Sequence, residues 1–331
     1  MISILMPSYN AEEYIQDAIE SIIQQTYKDW ELIIVDDKST DNTYNIALNY
    51  TYKDSRIKVF QLEFNSGSAH RPRLTAEKIA RGQFICQIDA DDYIEHNYLE
   101  KLIKRQKETN ADAVICRLCH MSSTGVKLAP FNPSENFNFS SIISGKEAFI
   151  KTIGSWEING LGIFKSIILE TLSSKNSDTQ MIDSINADEV YTRLKFLSCS
   201  KVAFCDADYY YRINPESITK KFSLKLFDSL DAVDKVRLLT LNEFGKSSKE
   251  YKKALSYHFL NILNSLSLFS ERYDEIDVSS RLGIKNKIFY NWKKITFVDV
   301  YRLPLKSALI YMCGFHLIYI AYFCRNYVRR K

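Results

Sequence analysis

Apolar residues fall in short blocks separated by amphipathic stretches through the first third of the chain. Ile2–Met6 is a short, mainly apolar run. Over Glu12–Gln25, the residues Ile15, Ala18, Ile19, Ile22 and Ile23 recur at helical spacing. Leu32-Ile33-Ile34-Val35 forms a second block within Glu31–Asp36, which ends in acids. Asp41–Tyr50 predicts a helix, with Ser39, Thr40 or Asp41 able to cap it. Ile57–Leu62 alternates like a strand. Pro72–Ala80 predicts a helix whose first turn suits Pro72. Gln83–Ile88 reads as a fourth strand, Asn97–Glu108 as a helix and Ala113–Leu118 as a fifth strand. Repeated strand–helix units of this length predict an α/β fold with a mostly parallel sheet flanked by helices.

In such sheets ligands bind beyond the carboxyl ends of the strands. Pro7-Ser8-Tyr9-Asn10, Asp36-Asp37 and Asp89-Ala90-Asp91-Asp92 each follow an apolar strand, so they should converge on one rim. Residues 120–220 are less regular. They offer helices at Ser144–Ile153 and Asp188–Leu197, a strand at Lys201–Cys205 and the aromatic run Tyr209-Tyr210-Tyr211-Arg212. From Leu224 onward the pattern is helical, through Leu224–Asn242, Glu250–Phe269 and shorter pieces. The expected divisions are 1–120, 121–222 and 223–331.

Composition narrows the function. The chain has 331 residues, 46% of them hydrophobic and 25% charged, which describes a globular protein. A net charge of +4 excludes a nucleic-acid reader that relies on overall positive charge. Seven cysteines form no dense framework, and Cys116-Arg117-Leu118-Cys119 lacks a second such pair. Buried, unpaired thiols are expected, in a cytoplasmic setting, since Met1–Asn10 shows no secretory pattern.

Asp89, Asp91 and Asp92 carry the strongest chemical signal. Carboxylates this close repel unless a cation lies between them. Mg²⁺ or Mn²⁺ accepts one or two carboxylates and completes its shell with water and phosphate oxygens. An acid-x-acid turn after a strand therefore suits a metal diphosphate, whereas the plainer alternative is a solvated turn before the helix near Asn97. Asp36-Asp37 could accept hydrogen bonds from a ribose or a base, or could simply open the Ser39-Thr40-Asp41 turn. There is no Gly-x-Gly-x-x-Gly after the first strand, no Gly-Lys-Ser/Thr loop and no His-Glu-x-x-His. These absences count against nicotinamide, P-loop and zincin chemistry.

Four stretches together resemble the family 2 glycosyltransferases of the GT-A fold, notably bacterial enzymes of capsule, lipopolysaccharide or exopolysaccharide synthesis. They are Ile4–Asn10, Ser21–Tyr27, Glu31–Asp41 and Gly82–Asp92. The close resemblance covers about residues 1–120. A looser one continues through Ala187-Asp188-Glu189, Tyr209–Arg212 and Ser217-Ile218-Thr219. The resemblance implies a nucleotide-sugar donor, most simply a UDP-sugar, Mn²⁺ or Mg²⁺ as cofactor, and a glycan or lipid-linked acceptor. Pro7 and Tyr9 would line the nucleotide pocket and Asp37 would bind the base. Asp89 and Asp91 would hold ribose and metal diphosphate with Asp92 in support, and Arg73 would face the diphosphate. Leu74, Ala76 and Lys38 depart from the family's usual Asn, Gly and Gly. An inverting displacement needs one base on the acceptor side. The family's Glu-Asp pair corresponds here to Ala187-Asp188, which makes Asp188 the candidate base and Glu189 the reserve. Asp188 could instead cap its helix. Trp156 and Tyr209–Tyr211 could stack on sugars or pack in the core. Two other classes stay open: a non-catalytic sugar-nucleotide or glycan-binding protein, and a nucleotidyltransferase.

Ser307–Cys324 is nearly uninterrupted apolar sequence. As one helix it would run roughly 27 Å at about 1.5 Å per residue, borderline for a bilayer core of about 30 Å. Basic residues flank both ends, which suits a helix lying at an anionic surface with Tyr311, Tyr319 and Tyr322 at headgroup level; a true span, or a helix buried in the core or at an oligomer contact, are the alternatives. The expected location is the inner face of the cytoplasmic membrane.

Overall fold

The computed structural model describes residues 1–122, 127–130, 138–154, 156–175, 187–213 and 222–329. The expected motif at 217–219 lies outside them. The strands are β1 (Ile2–Ser8), β2 (Trp30–Asp36), β3 (Ile57–Gln61), β4 (Phe84–Gln87), β5 (Tyr93–Ile94), β6 (Ala113–Met121), β7 (Lys127–Pro130), β8 (Ile142–Ile143), β9 (Gly162–Lys165) and β10 (Val202–Arg212). They form one sheet in the order β3-β2-β1-β4-β9-β6-β10-β5, with β7 on β6 and β8 on β10. The pairs β1–β2, β2–β3, β1–β4 and β6–β10 are parallel, as the repeated units predict. The antiparallel β9 sits between β4 and β6. Gly162 makes that fit possible: its φ is +132°, and a Cβ there would stand 2.0 Å from the Val114 carbonyl oxygen.

The central strands are covered on both faces, so β1 and β2 are buried along their full length. Helix Ile15–Ile23 turns Ile15, Ala18, Ile19 and Ile22 onto the sheet, the predicted stripe. Helix Tyr98–Thr109 buries Tyr98, Leu99, Leu102 and Ile103, and Asn110 ends it in the left-handed conformation. Helix His70–Ile79 starts two residues before the predicted Pro72 and buries Arg73 and Ala76.

The chain divides into two compact units, Met1–Asp183 with Tyr191–Lys220, and Ser184–Val190 with Lys221–Lys331. The second is helical: Ser229–Phe244, Lys249–Glu271, Val278–Lys293, Phe297–Val300, Leu305–Met312 and Phe315–Arg329. Its core gathers Phe227, Phe259, Phe269, Ile288 and Trp292. The expected single helix over 307–324 is not formed. Gly314, at φ +82°, breaks it, and the two pieces meet at 98°. No single helix among the described residues is long and apolar enough to cross a membrane. All three tyrosines expected at headgroup level pack against the core of the helical unit instead. Tyr311 stacks on Trp292 and donates to the Ile295 carbonyl at 2.7 Å, and Tyr319 packs against Phe269 and Phe323.

A polar cluster lies inside this helical unit. Asp234 accepts from Arg237 at 2.7 Å and pairs with Lys294 at 2.9 Å. Burial alone would raise the Asp234 carboxyl, but the Lys294 hydrogen bond and the Arg237 charge outweigh it and hold it low. His258, fully buried beside them, is pushed down to about 4 by burial, with Asp234 opposing and Arg237 assisting. A histidine with a depressed folded pKa favours the folded state above its unfolded value near 6.5, and that contribution is lost as pH falls toward 4. Acidification from pH 7 to 4 should therefore cost this unit about 3 kcal/mol through His258. Hydrogen-exchange protection of Lys249–Glu271 across that range checks it, and His258→Gln should flatten the response.

Candidate active site

The three motifs that follow β1, β2 and β4 begin from neighbouring parallel strands. Ser8 stands opposite Asp36 in the β1–β2 register, and the amide of Ile88 donates to the Leu5 carbonyl at 3.1 Å. The β1 and β2 loops interlock beyond the strands. Asn10, at φ +46°, accepts from the Thr40 amide at 2.9 Å, and its own amide donates to Ser39 Oγ at 3.0 Å. Pro7 is buried and Tyr9 is 40% exposed.

Asp36 and Asp37 point to opposite sides of the extended chain and do different work. Asp36 is fully buried and accepts from the Ser39 amide, the Ser39 hydroxyl and Gln61 Nε2. It therefore opens the turn, the plainer of the two readings. Asp37 accepts from the Ser66 amide at 2.8 Å, the Ser66 hydroxyl at 3.0 Å and the Gly67 amide at 3.2 Å. An ionised carboxylate has about four acceptor positions. Three go to the 66–67 loop, and one on Oδ1 is unfilled among the described residues.

The Asp89–Asp92 segment is a turn closed by the Asp92 amide on the Asp89 carbonyl at 3.1 Å. Each acid meets a different environment. Asp89 is paired with Arg73 Nη2 at 2.6 Å. Asp91 is raised to about 6 by burial and then by the neighbouring Asp89 charge, which Arg212 and Arg73 offset only in part. Asp92 is 1% exposed, accepts from Tyr209 Oη at 2.7 Å and the Arg212 amide at 2.8 Å, and is raised chiefly by burial. It supports the turn from beneath and presents nothing to a ligand.

Strand β10 supplies that support. Successive residues alternate between faces, so Tyr209 and Tyr211 share one side. Tyr209 is buried, donates to Asp92 and accepts from the Asp89 amide at 3.1 Å. It is not a sugar-stacking residue. Tyr210, on the other face, stacks on Tyr93. Tyr211 is 38% exposed, and its hydroxyl is raised to about 12 by burial and then by Asp92, Asp91 and Asp89. Of the three it alone meets both solvent and the acids. Arg212 donates from Nε to the Asp91 carbonyl at 3.1 Å and from Nη2 to Asp17 at 3.1 Å, beneath Tyr14 and Tyr93. No motif assigns Arg212 a role; its place at the end of an aromatic β pattern, two positions from Tyr210, is the available sign.

The remaining candidates lie as follows. Arg73 is 9% exposed on helix His70–Ile79. One turn on, Glu77 accepts from Tyr191 Oη at 2.6 Å, a buried contact no motif announces. Asp188 and Glu189 occupy the first turn of helix Ala187–Ser198, where Asp188 Oδ1 accepts from the Glu189 amide at 2.9 Å. Ala187 is 4% exposed. Trp156 has the Arg193 guanidinium 4.3 Å above its ring, so one face is already covered. Cys116 and Cys119 are buried on opposite faces of β6. Among the described residues, no three His, Cys, Asp or Glu side chains gather into a complete metal site.

Residues 3–144 match the sequence profile of the family described as "Glycosyl transferase family 2". Residues 3–144 form a family 2 glycosyltransferase domain. The domain is similar to Glycosyltransferase GlyG of Streptococcus pneumoniae, 29% identical over 78% of this chain and 90% of that one. It is also similar to an Escherichia coli UDP-Glc:alpha-D-GlcNAc-diphosphoundecaprenol beta-1,3-glucosyltransferase, WfgD, 44% identical over 33% of this chain and 42% of that one. Among solved structures, residues 1–349 of S. aureus TarS with UDP-GlcNAc match with a TM-score of 0.69 at 20% identity, covering 98% of this chain and 89% of that one. The likeness establishes a GT-A fold, and the family match sets the nucleotidyltransferase reading aside.

Proposed function

We propose that this glycosyltransferase moves a sugar from a UDP-sugar to a hydroxyl of a surface glycan or lipid-linked acceptor, with inversion and with help from Mn²⁺ or Mg²⁺. The observation that carries the reading is the Asp89–Asp91 turn, held by β10 beside the β1 and β2 motifs. The names of relatives that use UDP-Glc or were solved with UDP-GlcNAc support a UDP-sugar.

The donor set fits a hard divalent ion. Asp91 is disfavoured as a charge where it stands, because burial and Asp89 act together. A bound cation would relieve that cost. Two carboxylates are enough when diphosphate oxygens complete the shell. Asp91 and Asp89 would hold the ion, and when bound it neutralises charge developing on the departing diphosphate. Arg73, already on Asp89, contributes a second positive charge beside it. Asp37 has one acceptor position for a base N–H, with Pro7 and Tyr9 as its walls. Asp92, Tyr209 and Arg212 fix the turn. Tyr211 contacts the donor or acceptor sugar from the exposed side. On the acceptor hydroxyl Asp188 is the base, with Glu189 in reserve. Seven cysteines without a disulfide support work in a reducing compartment, on the cytoplasmic side of the membrane.

A thermal-shift panel of nucleotide sugars with and without Mn²⁺ tests the donor. At a hundred times its Kd, a true donor should stabilise the native state by about 2.7 kcal/mol. UDP-sugars should do so only with Mn²⁺. Equal shifts by GDP- or CMP-sugars would defeat the base assignment, and shifts unaffected by Mn²⁺ would defeat the metal.

A further inference from the structure

The last two helices are apolar on both sides, and protein covers only one. Helix Phe315–Arg329 turns Phe315, Tyr319 and Phe323 inward, the latter two onto Phe269. Its opposite stripe is open, with Leu317 65% and Ile320 56% exposed. Helix Leu305–Met312 repeats the arrangement. Tyr311 faces Trp292, while Leu305, Leu309 and Met312 are exposed at i, i+4 and i+7. That spacing places them on one face. A helix apolar all round is normally enclosed. Here the outer stripe calls for a second apolar phase.

Charge identifies the phase. Val300–Lys331 contains no Asp or Glu, but has Arg302, Lys306, Arg325, Arg329, Arg330 and Lys331. Apolar stripes between basic ends match a helix seated at an anionic lipid surface, its side chains in the acyl boundary and its cations among the headgroups. A second copy would bring equally basic flanks together, which opposes pairing. Length decides between lying and spanning. Eight and fifteen residues reach about 12 and 22 Å, short of a core of about 30 Å, and the 98° bend prevents them from adding.

We infer that the outer stripes of Leu305–Met312 and Phe315–Arg329 seat this protein on an anionic bilayer surface without crossing it. The inference goes beyond the sugar-transfer reading and is tested without any donor. The full chain is floated with phosphatidylcholine vesicles containing about one-third phosphatidylglycerol. The unaltered protein should rise with them. Leu317→Glu combined with Ile320→Glu should lower the bound fraction about tenfold or more, at an unchanged melting temperature. The same pair changed to Ser serves if the Glu variant fails to melt cooperatively. Leu282→Glu, altering a side chain also 65% exposed but on helix Val278–Lys293, should float normally. Failure of the unaltered chain to float, equal flotation of the paired variants, or equal loss in Leu282→Glu overturns the inference. Self-association abolished by the paired substitutions, with no flotation, assigns the stripes to a second copy and also overturns it.

Discussion

Asp91→Asn is expected to lower sugar transfer by about a thousandfold, the scale on which a preorganised electrostatic contact to a transition state acts. The substitution keeps the shape of the turn and removes the charge that would hold the cation. The Asp91 backbone carbonyl still accepts from Arg212, so β10 should keep its hold. The loss should fall on kcat rather than on the melting temperature, and removing the buried like-charge repulsion should leave stability equal or higher. The pH dependence sharpens the test. Asp91 titrates near 6 in the free protein, so protons compete with the metal below that value. The Mn²⁺ concentration for half-maximal rate should rise about tenfold per pH unit below 6 and level off above it, if one proton leaves per ion bound. A pH-independent Mn²⁺ requirement, or an active Asp91→Asn, would remove Asp91 from the metal.

Asp188→Asn should reduce transfer to the acceptor by about 10²–10⁴-fold, the usual yield of general base catalysis, while leaving donor binding intact. The thermal shift with UDP-sugar and Mn²⁺ should therefore be unchanged. The amide keeps an oxygen that can accept from the Glu189 amide, so the first turn of the helix survives. Glu189→Gln should cost much less. The reverse order would move the base to Glu189, and a small effect from both would reduce Asp188 to a helix-start residue. Ala187 cannot compensate, since it carries no proton acceptor and is buried.

The convergence of the three strand-end motifs is legible in the sequence because parallel strands end where their apolar runs end. β1, β2 and β4 each finish at a motif, and their pairing needs no information beyond order and period. Asp36 and Asp37 could not be separated that way. Only the fold shows that one acid closes its own turn while the other holds a loop 29 residues on. Strand β9 leaves no sign in the sequence pattern because four residues inserted antiparallel carry no period, and their partners lie about fifty and eighty residues away in the chain. The apolar pattern of β10 ends at Cys205 because Asp206 and Asp208 interrupt it, whereas the strand itself runs on. The register with β6 shifts there, then resumes to Arg212. The C-terminal pattern predicts one helix because a single Gly is tolerated inside a helical pattern, whereas the positive φ of Gly314 turns it into a corner.

The grip of Tyr209 and Arg212 on the Asp89–Asp92 turn bears on biosynthesis. These contacts join residues 117 and 120 positions apart. A nascent chain that has emerged as far as residue 120 possesses every recognisable donor motif, yet not the strand that steadies its acids. On the proposed reading, competence to handle a sugar nucleotide thus arrives late in translation, and a fragment cut after residue 120 would carry the donor signature without the machinery.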